Sequence, residues 1–150
     1  MNFVHINIVA RDWRALAQFY VEALGCEILT PERDLSGEWL DRLTDLKDVH
    51  IQGAHLRLPG YAEGQGPTLE VFQYDAMAPV DKPPAINGPG FAHIAFAVED
   101  VRACVDAICA HGGTVLGEIV ETKVGERLLC VAYARDIEGN LVEIQRWDKA

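Results

Sequence analysis

The chain is poor in basic residues. Thirteen Lys and Arg stand against 23 Asp and Glu, so the formal net charge is −10 over 150 residues. Proteins that bind nucleic acid need a basic surface to neutralise the phosphates, so this balance argues against a nucleic-acid partner. It leaves anionic small molecules open as substrates, because a bound divalent cation would reverse the field locally.

The chain also lacks a long hydrophobic run. No apolar stretch is long enough to cross a bilayer, and no basic leader precedes the opening "MNFVHINIVARD". The four cysteines form no Cys-x-x-Cys pair, and Cys104, Cys109 and Cys130 fall within helical or strand patterns. These absences predict a cytoplasmic protein with no membrane partner, whose cysteines are reduced and structural.

An internal repeat organises the sequence. "FVHINIVARDWRA" begins at Phe3, and "FAHIAFAVEDVRA" begins 88 residues later at Phe91. Each copy has a strand pattern, an Asp in the position of a helix N-cap, a helical pattern and a glycine that suits the helix end. The two halves also end alike, in "PTLEVFQYD" and "NLVEIQRWD".

The repeat predicts an α+β fold in which two tandem βαβββ modules form a curved mixed sheet around a concave metal site. Residues 1–78 form the first module, the Pro- and Gly-rich residues 79–90 form a linker, and residues 91–150 form the second module. We expect one folding domain, because half a chain of this size would have a thin core. The first half carries extra residues within 31–49, where "SGEWLDRLTDL" predicts a short amphipathic helix through Trp39, Leu40, Leu43 and Leu46.

Two histidines and two glutamates occupy equivalent positions in the repeat. Strand alternation places His5 and His93 on the face opposite the apolar residues that pack under each helix. Glu70 and Glu143, each flanked by apolar residues, also point away from an apolar layer. Two facing buried carboxylates are costly, and a divalent cation held by these four side chains would remove that cost. His50, His55 and His111 have no counterpart in the repeat and are expected to be structural or surface residues.

With these features the chain resembles the vicinal oxygen chelate superfamily, which includes glyoxalase I, bleomycin-resistance proteins and extradiol dioxygenases. The resemblance covers nearly the whole chain and is carried by the stretches "HINIVARDWRALAQFYVEALGCE", "GFAHIAFAVEDV" and "RDIEGNLVEIQ". In the last stretch Ile137 stands where the family pattern has Pro. The order of His5, Glu70, His93 and Glu143 matches the metal ligands of bacterial glyoxalase I one for one.

The resemblance implies a metal-dependent lyase, isomerase or epimerase. One divalent ion per site (Ni, Co, Zn, Mn or Mg) would bind the oxygens of a small α-oxygenated carbonyl substrate, and the reaction would move a proton next to the carbonyl through a metal-stabilised enediolate. A liganding Glu takes the proton in relatives, so Glu143 is the first candidate for the catalytic base and Glu70 the second.

The positions that hold glutathione in glyoxalase I differ here. The Arg four residues after the first His is replaced by Val9, and the Asn four residues after the first Glu is replaced by Tyr74. A substrate other than lactoylglutathione is therefore expected. Strand parity gives a different set of side chains as substrate-binding candidates: Asn7, Phe72, Tyr74 and Trp147.

Two other functions are compatible with the same family. The first is a bleomycin-resistance-like protein that binds a small molecule without catalysis, although such a protein need not keep four ligands. The second is an extradiol-type dioxygenase, whose two His and one carboxylate leave open positions on iron for O₂. Relatives complete the site either within one chain or from the halves of two chains, and in both arrangements we expect a homodimer, because the sheet of each half has edges that need covering.

Overall fold

The computed structural model describes residues 1–79 and 83–149. These residues form two compact units, of which the first ends at Pro79 and the second holds the rest of the described chain. Part of the predicted linker, residues 80–82, and the last residue of the predicted second module lie outside the described residues. No helix in the described part of the chain is long and apolar enough to span a membrane.

The first unit is a four-stranded mixed sheet with two helices. Its strand order is β1-β4-β3-β2, in which β1 runs parallel to β4 and the other neighbours are antiparallel. The elements are β1 (His5–Val9), α1 (Trp13–Leu24), β2 (Glu27–Ser36), α2 (Glu38–Thr44), β3 (His50–Arg57) and β4 (Thr68–Tyr74).

The second unit repeats this arrangement without the second helix. Its strand order is β5-β8-β7-β6, again with one parallel pair, between β5 and β8. The elements are β5 (His93–Ala97), α3 (Val101–Ala110), β6 (Thr114–Val124), β7 (Arg127–Arg135) and β8 (Leu141–Lys149). The α+β fold with two tandem modules is therefore confirmed, and each module forms its own four-stranded sheet.

The helix boundaries follow from the capping residues that the repeat indicates. The side chains of Asp12 and Asp100 accept hydrogen bonds from the backbone N–H groups of Ala15 and Ala103, which a first helical turn leaves without partners. Gly25 ends α1 in the left-handed conformation at φ 69°, which glycine adopts without a steric penalty. These caps set the starts of α1 and α3 and the end of α1.

Helices α1 and α3 each bury one apolar face. Leu16, Phe19 and Tyr20 of α1 are at most 2% exposed. Val101, Val105 and Ile108 of α3 are buried in the same way, whereas Cys104 is only partly covered and Cys109 is exposed. All four cysteines are free, and burial raises the pKa of Cys26 to about 12.

Strand β2 continues further than its sequence pattern predicts. The pattern ends near Thr30, but β2 runs to Ser36 and changes register against β3 between Leu29 and Arg33. Pro31 lies within this irregular part, and a proline is tolerated there because the strand is at the edge of its sheet. Strand β6 changes register at the equivalent place, between Leu116 and Val120.

The predicted helix in the extra segment of the first half is present as α2, but its predicted apolar face is wrong. Only Leu40 is buried, whereas Trp39, Leu43 and Leu46 are exposed. The helix has seven residues, so two turns bring a single apolar side chain onto the sheet. Leu40 packs with Val49 and Ile51 and closes one end of the sheet face.

His50 lies between two carboxylates at the start of β3. Its Nδ1 is 2.9 Å from a carboxylate oxygen of Asp75, and its Nε2 is 2.8 Å from one of Asp34, which also accepts a hydrogen bond from Gln52. The bonds to Asp34 and Asp75 raise the pKa of His50 above the ordinary 6.5. The bonds from His50 and Gln52 lower the pKa of Asp34.

We expect His50→Gln to destabilise the protein in a pH-dependent way. The folded-state pKa of His50 is raised, so its stabilisation is complete below the ordinary value of 6.5 and disappears as the pH rises through the raised pKa. The pKa of Asp34 is lowered, so its part is present above 3.8 and disappears as the pH falls through the lowered value. The Tm difference between parent and variant should therefore be largest between pH 3.8 and pH 6.5, where both contributions are complete.

Thermal unfolding of both proteins across the pH range measures this difference. The double variant Asp34→Asn with Asp75→Asn, which keeps the imidazole, should show the same pH dependence. A Tm difference that stays constant from about pH 5 to about pH 9 would contradict the assignment, because His titration near neutral pH is its cause.

Candidate active site

In the first unit, the sheet brings His5 against Glu70. His5 opens β1 and Glu70 lies in the neighbouring parallel strand β4, where Asn7 is its direct partner in the register. The Nε2 atom of His5 is 3.2 Å from Oε2 of Glu70, and the side-chain amide of Asn7 donates a hydrogen bond of 3.2 Å to the same oxygen. All three side chains share one face of the sheet, as strand alternation predicts.

The second unit contains the equivalent pair. His93 opens β5, Glu143 lies in the parallel strand β8, and Nε2 of His93 is 3.2 Å from Oε2 of Glu143. Ala95 takes the register position that Asn7 has in the first unit. The same atoms are therefore the same distance apart in both copies of the repeat, although few residues around them are identical.

The two carboxylates are shielded while the imidazoles stay accessible. The side chains of Glu70 and Glu143 are 12% and 15% exposed, and those of His5 and His93 are 41% and 30% exposed. Each Glu is flanked by residues whose side chains lie in the apolar layer on the other face of the sheet. A charged carboxylate in such a place needs donors or a cation to offset its lost hydration.

Each His–Glu pair suits two neighbouring ligands of one metal ion. Imidazole nitrogen and carboxylate oxygen are ligands that Zn, Ni, Co and Mn accept. The two donor atoms of each pair lie 3.2 Å apart, so both could ligate one ion. Among the described residues, no group of three or more His, Cys, Asp or Glu side chains is arranged to hold a metal, so the donors occur as pairs.

His55, which was expected to be structural or on the surface, touches this site. It is paired with Glu70 in the register of β3 and β4, and its Nε2 is 2.8 Å from Oε1 of that carboxylate. Its Nδ1 is 2.8 Å from the hydroxyl of Thr68, and its ring meets that of His5 edge-on at 5.8 Å. Burial lowers the pKa of His55, and although the charge of Glu70 opposes this, the charges of Arg33 and His5 add to it.

Tyr133 holds the same position in the second unit. It pairs with Glu143 in the register of β7 and β8, and its ring lies 5.3 Å from that of His93. Its hydrogen bond to Glu143 raises the pKa of Tyr133, with a smaller effect from burial. The phenol therefore keeps its proton, and its O–H donates a hydrogen bond to the carboxylate. Sequence comparison missed both residues because the repeat replaces one by the other.

Phe72 and Tyr74, two candidates for substrate binding, continue the face of Glu70 along β4 towards α2. Both are partly buried and pack against the Leu40 cluster, and the ring of Phe72 also meets that of His55 edge-on at 6.2 Å. A Cβ at Gly53 would overlap the Val71 carbonyl oxygen and the Phe72 ring, so only glycine permits this packing. Phe72 thus forms an apolar wall beside the His–Glu pair.

The other two candidates differ in their distance from the site. Asn7 contacts Glu70 directly. Trp147 lies four residues beyond Glu143 on β8, about 13 Å along the strand. Its indole N–H donates to the side chain of Gln145, and the guanidinium of Arg127 lies 4.8 Å from its ring centre. Trp147 therefore belongs to the far end of the strand.

Comparison with known proteins identifies the family of this arrangement. The sequence pattern of the glyoxalase/bleomycin resistance protein/dioxygenase superfamily matches residues 2–144. The chain belongs to this superfamily. It is 27% identical over 144 residues to a probable lactoylglutathione lyase of Vibrio parahaemolyticus, covering 95% of this chain and 88% of the relative. It is 28% identical over 116 residues to a 2-epi-5-epi-valiolone epimerase of Actinomyces, covering 76% of this chain and 61% of the relative.

Among solved structures of the superfamily, a glyoxalase family protein from Bacillus cereus superposes with a TM-score of 0.75 at 23% identity. The match covers 98% of this chain and 93% of that protein. At this identity the likeness shows the shared fold. Two of the relatives that match this chain carry the names of enzymes, a lyase and an epimerase.

Proposed function

We propose that the protein is a metal-dependent lyase, isomerase or epimerase that moves a proton next to the carbonyl of a small α-oxygenated substrate. One observation carries the proposal: the His–Glu pair occurs twice, at equivalent positions of the repeat, with the same donor separation of 3.2 Å. The repeat keeps this pair although few residues around it are identical, which supports a centre that needs several donors.

The proposed ligands of the divalent ion are His5, Glu70, His93 and Glu143. To ligate, each imidazole must offer its Nε2 lone pair, so its ring proton must reside on Nδ1. Two carboxylates and two neutral imidazoles would balance the charge of the ion. When bound, the ion would supply a Lewis acid that stabilises negative charge on a substrate oxygen.

The chain itself must supply the base that takes the proton from carbon. Glu143 is the proposed base, with Glu70 as the second choice. Tyr133 donates a hydrogen bond to Glu143, which orients the carboxylate without occupying both of its oxygens. The Glu143 side chain is 15% exposed, so little water competes with a bound substrate for its oxygens.

The side chains near the first His–Glu pair favour a small substrate. Asn7 offers an amide to a substrate oxygen, and Phe72 offers an apolar wall. Tyr74, at a position that binds glutathione in glyoxalase I, packs instead against the Leu40 cluster. This packing supports a substrate other than a glutathione conjugate, although relatives carry the name lactoylglutathione lyase. The homodimer expected from the sheet edges stays a prediction.

Metal analysis of protein purified without chelators tests the proposal. We expect about one divalent ion per chain, because the two pairs together supply four donors. Stripping the ion with a chelator should abolish exchange of a substrate α-proton, and adding back Ni²⁺, Co²⁺, Zn²⁺, Mn²⁺ or Mg²⁺ should restore it. A protein that neither retains nor takes up any of these ions would refute the metal-dependent function and favour the binding protein.

A further inference from the structure

Each proposed glutamate ligand has an aromatic hydrogen-bond donor directly across the antiparallel strand pair. His55 lies opposite Glu70, and Tyr133 lies opposite Glu143. The position is therefore occupied by a donor in both copies of the repeat, but by an imidazole in one and a phenol in the other. Two different solutions at one position indicate that the carboxylates need a donor there and that their roles differ.

The two carboxylate oxygens of Glu70 have different partners. Oε1 is 2.8 Å from Nε2 of His55, whereas Oε2 faces both Nε2 of His5 and the amide of Asn7 at 3.2 Å. An ionised carboxylate only accepts hydrogen bonds, so Nε2 of His55 must donate. In a neutral imidazole Nδ1 then accepts, and its neighbour at 2.8 Å is the hydroxyl of Thr68. Thr68, His55 and Glu70 thus form a chain of two hydrogen bonds, the relay, which runs from the Thr68 hydroxyl through the His55 ring to Oε1 of Glu70.

We infer that His55 is a positioning residue that holds Glu70 through this relay and reserves Oε2 for the metal ion. The inference rests on the proposed function and assigns different roles to the two glutamates. Glu70 is held by the relay and by Asn7, so it suits a permanent ligand. Glu143 faces Tyr133 across the strand pair and has Ala95, whose side chain cannot donate, in the place of Asn7, so its carboxylate is the better placed of the two to take a proton.

The first test uses metal-free protein with ¹⁵N-labelled histidine. In a two-dimensional NMR spectrum of the imidazole nitrogens, the His55 ring should carry its proton on Nε2, and its signals are assigned by their loss in His55→Gln. Thr68→Val, which removes the hydroxyl with little change in shape, should leave the proton on Nε2, because Glu70 still accepts from it, but should shift the Nδ1 signal, because Nδ1 loses its hydrogen-bond donor. A His55 ring with its proton on Nδ1 would overturn the relay.

The second test measures Co²⁺ affinity and the visible spectrum of the bound ion. Loss of a hydrogen-bond partner behind a metal ligand typically costs about 10–100-fold in metal affinity. We expect His55→Phe to weaken Co²⁺ binding in this range and to shift the spectrum, and Thr68→Val, which acts on Glu70 only through His55, to weaken it less. His55→Gln, whose amide can still donate to Oε1, should bind within a few-fold of the parent.

Matched controls separate positioning from general damage. His50→Gln changes a histidine on the other face of the same strand β3 and should leave Co²⁺ binding unchanged. His55→Phe that binds Co²⁺ as tightly as the parent with the same spectrum, or His55→Gln that is as weak as His55→Phe, would overturn the inference. If the parent itself binds no metal, the proposed function fails, while the tautomer measurement still decides whether the relay exists.

Discussion

Glu143→Gln is expected to slow exchange of a substrate α-proton by about 10²–10⁴-fold, the usual contribution of a general base. Glutamine has the same shape and its amide oxygen can still face a metal ion, but it cannot accept a proton at neutral pH. The surrounding contacts favour a folded variant, because Tyr133 can donate to the amide oxygen as it does to the carboxylate. Metal content should therefore fall much less than the rate.

The assay follows incorporation of deuterium from D₂O into α-hydroxy or α-keto compounds by NMR, with the protein saturated with metal. Glu70→Gln is the matched control, since it makes the same change in the equivalent strand. We expect this control to lose metal affinity and, once saturated with metal, to retain more of the exchange rate. If Glu143→Gln saturated with metal exchanges the proton as fast as the parent, Glu143 is not the base, and Glu70 takes its place as the candidate.

His93→Ala is expected to lose the metal ion and, with it, the exchange activity. The Nε2 atom of His93 lies 3.2 Å from Oε2 of Glu143, so its removal takes away one of the two donors of this pair. The remaining carboxylate cannot replace the imidazole nitrogen that ions such as Zn²⁺ and Ni²⁺ favour. After dialysis, the metal content should fall from about one ion per chain to a small fraction of that value.

Thermal unfolding of metal-free parent and variant controls for a loss of fold. The side chain of His93 is 30% exposed, so the two metal-free proteins should unfold at similar temperatures. His50→Ala provides a histidine control outside the site and should retain the ion. A His93→Ala protein that keeps the metal content of the parent would show that His93 is not a ligand.

The sequence determined the fold class, the tandem modules and the side of the sheet on which each His–Glu pair lies. Asp12, Asp100 and Gly25 set the helix ends through local hydrogen bonds and backbone conformation, which depend on neighbouring residues alone. Alternation along a strand sets the face of His5 and Glu70 in the same local way. The match to the superfamily could be found from such local patterns.

Strand register, by contrast, was decided only by the tertiary structure, and the role of His55 depends on it. The antiparallel pairing of β3 with β4 places His55 across from Glu70, and sequence periodicity fixes the face of a strand but not its partner. One signal was present: His55 and Tyr133 each precede an arginine by two residues, Arg57 and Arg135, at the ends of equivalent strands. Comparison by identity overlooked it because the residues themselves differ.

Packing also decided which residues of the extra segment are buried. The apolar residues of α2 predicted one buried face, but a helix of two turns meets the sheet through Leu40 alone. Phe72 and Tyr74 pack against the Leu40 cluster, so the position of the Leu40 side chain decided which residues these two rings contact. Contacts between residues distant in the chain depend on the shape of both surfaces, so composition and spacing did not determine them.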